Sequence, residues 1–591
     1  MASPKTRLRA DFPERLFPWL LVAACLVVFS ASLAYPFLEG MDDNVYVTRN
    51  VGRLGWTAGN VRYWFTHSCV GCYLPLTMLS YMVDHAIWGL NSFGYHLQNL
   101  VWHVVAVLGV YACFLAFGMP RRVAFSVCLL FAVHPQRVES VVWISERKDV
   151  LCAACYWWSL HAYVRARDEG RCPVWAFVLF ALALFAKSMA ISLPIVLVFA
   201  EIHRSGRLSV RELLKRLWPF FALAVGIVPI TVLSQSIPGD QTTFGRQLLV
   251  AAYNVLWYAG KTLCPTPLSP IYPKVSLSSG VVGAMAVTYA VLAAGVLFAR
   301  RRWPRCVAYV VCPLALAYLA SAAPILGFVP LGYIDHADRY SYIPSVFLWA
   351  GAAGLIVRWL RLPSKPMPAV RLWGRVGLAT VAVLFAWLSI LHAMAWRDIG
   401  ALHQMAALHA PPNHFALGTL GDVQAARGDW RGVSETAERI EALDEPWMSA
   451  GHRIGNLNKA QSLRATALYR NGRAAEALPL FEAVMGRRDN TAFQVQIDLP
   501  VMLAMMADCY LRKGARNDVM RCYDELVAIS SDSNYEGCFY RGVRAHYLND
   551  YRTALRWFEE ADRLTPGLAQ VRSNIADCRN RLAEKARGQA E

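Results

Sequence analysis

Residues 173–200 read PVWAFVLFALALFAKSMAISLPIVLVFA and contain one charged side chain, Lys187. Apolar runs of this kind are candidates for helices that cross the hydrocarbon core of a membrane, which is roughly 30 Å thick. The whole chain of 591 residues is 56% hydrophobic and only 17% charged. This composition argues against an ordinary water-soluble enzyme and predicts a chain that lies largely in lipid.

Eleven apolar runs in the N-terminal part predict membrane-spanning helices. They lie near residues 16–37, 95–117, 122–135, 150–165, 173–186, 189–202, 216–233, 280–299, 305–322, 341–357 and 374–395. If a further run at 248–261 crossed the membrane, the loops on either side of it would no longer alternate between the two faces as their charges require. This run is therefore predicted to be interfacial or re-entrant. The fold class predicted for residues 1–400 is therefore all-α, a polytopic membrane bundle of about eleven helices.

The basic residues of the chain indicate its orientation. Residues 411–591 carry 24 basic and 24 acidic side chains, so the formal net charge of +18 belongs to the apolar part. Within that part, basic residues collect in alternate loops beginning with residues 1–15, which the positive-inside rule assigns to the cytoplasm. The segment 401–591 is then extracytoplasmic, and the first apolar run is interpreted as an anchor rather than a removed signal peptide. A basic excess set by topology also disfavours nucleic-acid binding, which needs a basic face on a soluble module.

A repeat pattern runs through the more polar C-terminal part. Its last unit places small, small, aromatic, small and proline residues at the spacing of a tetratricopeptide repeat, at Gly542, Ala554, Phe558, Ala561 and Pro566. Weaker copies begin at Gly421, Ala465 and Ala507. Stacked helical hairpins of this type predict an α-solenoid, whose concave surface either binds an extended protein segment or serves only as a packing spacer.

Four groups of charged residues fall on the predicted outer face, and the first is residues 39–44. Asp42 and Asp43 follow the first apolar run directly. Adjacent carboxylates at a membrane surface raise one another's pKa, and they can act as a general base or hold a divalent cation. A polar loop accounts for an Asp-Asp pair equally well.

The second group, residues 134–149, places seven ionisable side chains between two apolar runs. They are His134, Arg137, Glu139, Glu146, Arg147, Lys148 and Asp149. Helical spacing predicts that Glu139 and Glu146 share a face, and the two adjacent cations suit a lipid-linked phosphate. The alternative is an internally paired amphipathic helix that lies in the membrane interface.

The third and fourth groups contribute isolated cations. Lys187 and Lys261 each stand alone between apolar residues, where a lysine can also simply extend its amine to the interface. Asp338 and Arg339 belong to residues 335–342, which fit either a phosphate clamp or a surface ion pair. Carboxylates able to activate a hydroxyl and cations able to hold phosphate predict transfer of a group from a lipid phosphate to an acceptor outside the membrane.

Several motifs occur in register along the chain. They are YLPLT at 73–77, GYH at 94–96, HP at 134–135, VESV at 138–141, SERKDVL at 145–151, AK at 186–187, YAGKT at 258–262 and ADRYSYIP at 337–344. With these motifs the chain resembles the bacterial relatives of the transmembrane and tetratricopeptide-repeat-containing (TMTC) protein O-mannosyltransferases. The resemblance runs from about residue 42 to residue 344, and the repeats extend it towards the C-terminus.

The resemblance implies a glycosyltransferase of the GT-C fold in a cell inner membrane, with its repeat domain in the periplasm. Its donor is implied to be a polyprenyl-phosphate sugar, with mannose or another hexose as the sugar, and its acceptors are implied to be Ser and Thr hydroxyls of extracytoplasmic proteins. Two rival hypotheses are a GT-C transferase that acts on an envelope glycan or lipid, and a non-enzymatic membrane-anchored scaffold that uses its repeats for assembly.

Residue roles follow from the residues and the resemblance together. Asp43, with Asp42 as second choice, is assigned to take the proton from the acceptor in an inverting transfer. The same pair would hold a divalent cation if the reaction uses one, which the sequence leaves open. The donor phosphate is assigned to Arg147, Lys148, Arg339, Lys187 and Lys261. Supporting roles are assigned to Glu139, His134, Glu146 and Asp338.

A short cysteine motif lies in the first outer loop. Cys69 and Cys72 flank two residues, and an oxidising compartment would allow them to close a small disulfide loop. A zinc site is not predicted, because no second CxxC pair accompanies the motif.

Overall fold

A computed structural model of the chain describes residues 13–38, 40–205, 209–234, 243–304, 307–328, 334–360, 368–409, 414–443, 450–488, 498–530 and 534–588. The chain forms two compact units, Met1–Pro411 and Pro412–Glu591. All regular elements among the described residues are helices, apart from one antiparallel bridge between Cys69 and Cys72. The all-α prediction is therefore confirmed for this part of the chain.

The first unit consists of helices joined by short 3-10 and π turns. Its α-helices are α1 (Phe17–Phe29), α2 (Ala58–Thr66), α3 (Pro75–Trp88), α4 (Ser92–Ala116), α5 (Arg121–Ala132), α6 (Val138–Val142), α7 (Arg147–Asp168), α8 (Val174–Ala186), α9 (Leu193–Ser205), α10 (Val210–Ser234), α11 (Phe244–Leu263), α12 (Ser279–Arg302), α13 (Cys312–Ala322), α14 (Pro344–Leu360), α15 (Pro368–Ala395) and α16 (Ile399–His409).

Five helices among the described residues are long and apolar enough to cross a membrane. They are Glu14–Ala34, Ser92–Ala116, Val210–Ser234, Ser279–Arg302 and Leu372–Ala395. Each coincides with a predicted run. The other predicted runs also fold as helices where they are described, but these are shorter or less apolar, so the count of eleven crossings stays a prediction. The ambiguous run at 248–261 lies inside α11.

Local sequence signals explain where several of these helices begin and end. The side chain of Asn91 caps α4 by accepting from the Phe93 N–H at 3.1 Å. After α4, Gly118 takes a positive φ of 78° and Pro120, which lacks an N–H, leads directly into α5. Lys187 has an extended backbone that ends α8. The apolar stretch 173–200 is therefore divided into two short helices rather than one.

The core of the first unit is built around α4 and α7. These two helices pack closely at Gly109 of α4, where a Cβ would lie 3.1 Å from both Trp157 Cβ and the ring of Trp158. Cys113 Sγ donates to the Trp157 carbonyl oxygen across the same contact at 3.1 Å. With 22 residues, α7 is about 33 Å long. The segment that precedes α7 therefore lies at one end of the bundle.

The second unit is a succession of helix pairs. Its helices are α17 (His414–Ala426), α18 (Trp430–Glu441), α19 (Ala450–Arg470), α20 (Ala474–Met485), α21 (Leu499–Lys513), α22 (Arg516–Ile529), α23 (Tyr535–Tyr547), α24 (Tyr551–Leu564) and α25 (Ala569–Gly588). The predicted small and aromatic positions are buried here: Ala554, Phe558 and Ala561 are each at most 1% exposed. Gly542 is required by this packing, because a Cβ there would lie 2.6 Å from the Phe558 ring.

Candidate functional site

Residues 131–150 are buried at every position, although they contain seven ionisable side chains. The helix predicted through this segment is interrupted: α6 ends where Trp143 adopts an extended backbone, with φ −76° and ψ 119°, and α7 begins at Arg147. The alternative of an internally paired amphipathic helix in the membrane interface agrees with the pairing of these charges but not with their burial, since such a helix would expose its polar face. Charges buried to this extent require partners inside the protein.

Arg147 finds its partners in the core rather than at a ligand site. Its Nη1 lies 2.5 Å from Asp84 Oδ2, its Nε donates to Asn99 Oδ1 at 2.6 Å, and its Nη2 donates to the Tyr95 carbonyl oxygen at 2.7 Å. Neither Arg147 nor Asp84 has any exposed side-chain surface. Prediction of Arg147 as a phosphate ligand is corrected on this geometry, because each of its three guanidinium nitrogens is already bonded inside the core. Asp84 was missed, although a single carboxylate in the apolar stretch of α3 was the signal for a buried pair.

Seven charged residues converge near the start of α7, and we call them the charge cluster. Its members are Asp42, Glu139, Glu146, Lys148, Asp149, Lys187 and Arg339. They come from four separate parts of the chain, which lie between 42 and 339 in sequence. The four predicted charged groups each contribute at least one of these residues, and their joint role in a reaction stays a prediction.

Glu146 is the centre of the charge cluster. Its Oε1 lies 2.8 Å from Lys148 Nζ and 3.3 Å from Arg339 Nε, while its Oε2 lies 3.7 Å from Lys187 Nζ. Burial alone would raise the pKa of Glu146, but these three cations outweigh it and lower the pKa to about 2. Glu146 is therefore ionised at neutral pH and holds the three cations close together.

Two other carboxylates orient the cations. Glu139 accepts from the Arg339 backbone N–H at 2.9 Å and also from the Arg339 guanidinium. Lys187 donates to Asp149, and the nearby carboxylates raise the pKa of Lys187 although its burial opposes this. The carboxylates that hold the cations are about 2% exposed at most, whereas the Lys187 and Arg339 side chains are each 14% exposed. The accessible side of the cluster therefore presents Lys187 and Arg339, together with the half-buried Asp42.

The two adjacent aspartates have different surroundings. Asp43 is 1% exposed, and both of its carboxylate oxygens already accept hydrogen bonds: Oδ2 from the Leu38 N–H at 3.0 Å, and Oδ1 from the Ser145 N–H at 3.0 Å and the Ser145 hydroxyl at 2.5 Å. Burial raises the pKa of Asp43 to about 6 in spite of these bonds. Asp42 is half-buried, and the electrostatic neighbours of its carboxylate are Lys148, Glu146 and Arg339. Asp42 therefore lies towards the charge cluster. Asp43 instead links the backbone at Leu38 to Ser145 through its hydrogen bonds.

The other predicted site residues lie beside the cluster. Asp338 accepts from the Tyr272 hydroxyl at 2.9 Å, and burial, followed by the nearby Glu139 carboxylate, raises its pKa to about 7. His134 Nε2 lies 3.0 Å from the Thr262 carbonyl oxygen, so this ring fastens the end of α11. Lys261 donates to the Pro267 carbonyl oxygen rather than to any member of the cluster. Its assignment to the donor phosphate is not supported by these contacts.

Trp143 Nε1 is buried beside the cluster and lacks a hydrogen-bond partner among the described residues. Buried polar atoms are rarely left unsatisfied in folded proteins, so such an atom marks a place where water or a ligand can bind. Trp143 also lies within 5.6 Å of the Arg339 guanidinium, ring centroid to Cζ. A polar ligand can therefore meet cations and an indole N–H here.

A divalent cation fits the two aspartates poorly. Both oxygens of Asp43 are engaged by protein donors, which leaves Asp42 as the available carboxylate of the pair. Groups of three or more His, Cys, Asp or Glu side chains arranged to hold a metal are absent from the described residues.

The short cysteine motif forms a hairpin. The backbone N–H of Cys69 donates to the Cys72 carbonyl oxygen, and that of Cys72 to the Cys69 carbonyl oxygen, each at 2.9 Å. Both sulfurs are unbonded in this structure. Their electrostatic neighbours include Asp42, Lys148 and Lys187. The hairpin therefore borders the charge cluster.

Fold and site together define a polytopic helical membrane protein with a buried cluster of paired charges at one end of its bundle. No family model matches the chain. The chain is similar to the mouse protein O-mannosyl-transferase TMTC1, with 35% identity over 99 residues, which is 17% of this chain and 10% of that protein. It is also similar to mouse TMTC2, with 38% identity over 94 residues (16% and 11%), and to fruit-fly Tmtc3, with 31% identity over 121 residues (17% and 13%).

These matches support a TMTC-like family and cover about a tenth of each relative's length. The relatives are animal proteins, so the resemblance to bacterial members stays a prediction. All three are named as protein O-mannosyl-transferases, and their names concern transfer of a sugar to protein.

Proposed function

We propose that this chain is a membrane glycosyltransferase of the GT-C type, which moves a sugar from a polyprenyl-phosphate donor to hydroxyl groups of extracytoplasmic proteins. The single observation that carries the proposal is the charge cluster, in which Lys187 and Arg339 are partly accessible beside the half-buried Asp42 carboxylate. The similarity to proteins named as O-mannosyl-transferases supports mannose, or another hexose, as the sugar.

The phosphate of the donor would bind to Lys148, Lys187 and Arg339. Glu146 holds these three cations within 3.7 Å of its own carboxylate, so they are oriented before the ligand arrives. Such preorganised charge stabilises a leaving group without a cost of rearrangement during the reaction. No acid is needed, because a lipid phosphate leaves readily once its developing charge is neutralised.

Asp42 is the proposed general base. The acceptor hydroxyl gives its proton to the Asp42 carboxylate while its oxygen forms a bond to the anomeric carbon of the sugar. On the opposite face, the bond between this carbon and the phosphate oxygen breaks, and the phosphate keeps the electron pair. Transfer therefore inverts the anomeric centre. Asp43 becomes a positioning residue, because its oxygens are already bonded to Leu38 and Ser145.

The second unit is proposed to be a tetratricopeptide-repeat solenoid that presents the acceptor. Support comes from the buried small and aromatic positions of its helix pairs, such as Ala477, Phe481 and Val484. We further propose eleven crossings, a cytoplasmic N-terminus and an extracytoplasmic second unit in the inner membrane, on the basis of the loop charges.

Asp42→Asn tests the proposal, with Glu169→Gln as a matched control. Glu169 pairs with Arg165 at the other end of α7, so its variant should keep wild-type transfer. Loss of a general base typically slows a reaction by 10²–10⁴-fold, so Asp42→Asn should remove nearly all hexose from extracytoplasmic proteins. Mass spectrometry of those proteins and of lipid extracts, with membrane levels of each variant checked by immunoblotting, provides the measurement.

Unchanged hexose on proteins in Asp42→Asn cells would refute the assignment of the base. Hexose that depends on Asp42 but is found on lipids and not on proteins would instead favour the envelope glycan or lipid as acceptor. If neither pool changes while alterations of the second unit abolish function, the scaffold hypothesis is the better one.

A further inference from the structure

The hairpin at residues 69–72 has a backbone geometry that is compatible with a disulfide between Cys69 and Cys72. Val70 and Gly71 both have positive φ, 50° and 67°, as a type I′ turn requires. The two cysteines exchange both backbone hydrogen bonds, and antiparallel residues paired in this way have Cα atoms about 5.5 Å apart. A disulfide spans Cα atoms that are about 4.4–6.8 Å apart.

The turn also carries a conformation that needs support from outside it. Val70 is β-branched, and a β-branched residue with positive φ is rare because its side chain meets the backbone. Such strained residues persist only where the surrounding structure fixes them. The two backbone hydrogen bonds do part of this, and a covalent bond between the flanking residues would complete it.

The hairpin packs where its closure matters for the proposed site. Cys69 belongs to a buried group with Tyr46, Trp64 and Leu74, while Cys72 is half-buried. Lys148 and Asp42 are electrostatic neighbours of both sulfurs. Among the described residues, no other pair of cysteines faces across an antiparallel bridge.

We propose that Cys69 and Cys72 are a modification site. A disulfide between them closes the hairpin covalently and fixes its position beside the charge cluster. The proposal rests on one part of the proposed function, the placement of this loop in the oxidising compartment outside the membrane. The oxidant is a disulfide compound of the outer compartment. The Cys72 thiol loses its proton, and its sulfur attacks one sulfur of that disulfide; the S–S bond breaks and the other sulfur leaves as a thiolate, which takes up the proton. Cys69 then loses its proton and attacks the Cys72 sulfur of the mixed disulfide, and the second sulfur of the oxidant leaves as a thiolate that takes up this proton. The two cysteines are oxidised to one disulfide and the oxidant is reduced to two thiols.

Peptide mapping of the full chain from isolated membranes tests the proposal. The protein is denatured, alkylated with N-ethylmaleimide with or without prior reduction, and cut with chymotrypsin, which releases residues 66–73 as one peptide containing both cysteines. We expect this peptide to be unalkylated and two hydrogens lighter without reductant, and to carry two labels after reduction. Cys172 and Cys264, which are exposed thiols, serve as internal controls and should be labelled in both samples.

Two labels on this peptide without reductant would overturn the proposal. Treatment of the purified protein with oxidised glutathione then identifies the faulty step. If the disulfide forms in the tube, the hairpin geometry is right and the outer placement is wrong. If it does not form, the geometry itself is wrong. Neither result depends on transfer activity, so failure here is distinct from failure of the Asp42→Asn experiment.

A second measurement uses the Cys69→Ser/Cys72→Ser variant. Reductant should lower the midpoint temperature of unfolding of the wild-type protein and leave that of the double variant unchanged. An equal response of the two proteins to reductant would contradict the role of the disulfide, because the shift would then come from other cysteines.

Discussion

Replacement of Asp84 by Asn tests whether Arg147 stabilises the fold or binds a ligand. Arg147 Nη1 lies 2.5 Å from Asp84 Oδ2, and neither side chain is exposed. Asn keeps the shape of the side chain but removes its charge, so the guanidinium is left as an unpaired buried cation. Breaking a buried ion pair in this way costs about 3–5 kcal/mol. That is a large part of the roughly 5–15 kcal/mol by which an ordinary domain is stable.

The assay is equilibrium unfolding in mixed detergent micelles, monitored by circular dichroism, together with hexose transfer in membranes. We expect Asp84→Asn to lower the free energy of unfolding by about 3–5 kcal/mol. The double variant Asp84→Leu/Arg147→Met removes both charges and chiefly leaves Asn99 Oδ1 without its donor, at a cost of about 1–3 kcal/mol. It should therefore be more stable than Asp84→Asn, and it should still transfer hexose. Glu14→Gln, at the exposed Arg122 pair, is the control and should change stability by less than about 1 kcal/mol.

One pattern of results would refute this reasoning. If Asp84→Asn unfolds like the wild type, and the double variant stays folded but loses transfer, then Arg147 is a ligand-binding cation. The structural role assigned to it from its hydrogen bonds would then be wrong.

Three further predictions concern the cluster and the second unit. Burial raises the pKa of Asp42, and Asp42 must be ionised to act as a base, so transfer should be lost on the acid side at a higher pH than an ordinary aspartate would give. A pH profile of transfer whose acid limb lies at or below the ordinary range of an aspartate would argue against this base. The pKa of Asp338 is raised from 3.8 to about 7, so its carboxyl binds a proton more tightly in the folded state, and the stability due to this group is lost as the pH rises from about 4 to 7. Asp338→Asn should remove that loss when the free energy of unfolding is measured against pH. Parallel curves of unfolding free energy against pH for the two proteins would contradict this prediction. Gly542→Val overpacks the Phe558 ring and should destabilise the second unit by about 1–3 kcal/mol, as measured by hydrogen exchange of α23 and α24, whereas Gly377→Ala, with open space around it, should have little effect.

Much of the helical architecture follows from the sequence because its cause is local. An apolar run in lipid must satisfy its own backbone hydrogen bonds, so the run itself dictates a helix. The five candidate spans therefore coincide with predicted runs, and the small and aromatic positions at 554, 558 and 561 are buried as the repeat spacing requires. The length of each helix does not follow from composition in the same way, because a single residue with an extended backbone, such as Lys187, divides one apolar stretch into two helices.

The sequence by itself also identified the charged segments that meet at the start of α7, since charges between apolar runs are too costly to be without partners. Only the tertiary structure decided which partner each charge has. Arg147 and Lys148 are adjacent in sequence, but the helix they share directs one towards Asp84 in the core and the other towards Glu146. Asp42 and Asp43 diverge in the same way, because Ser145, about a hundred residues distant, takes up Asp43. Ion pairing depends on distances between residues far apart along the chain, and packing alone fixes those distances.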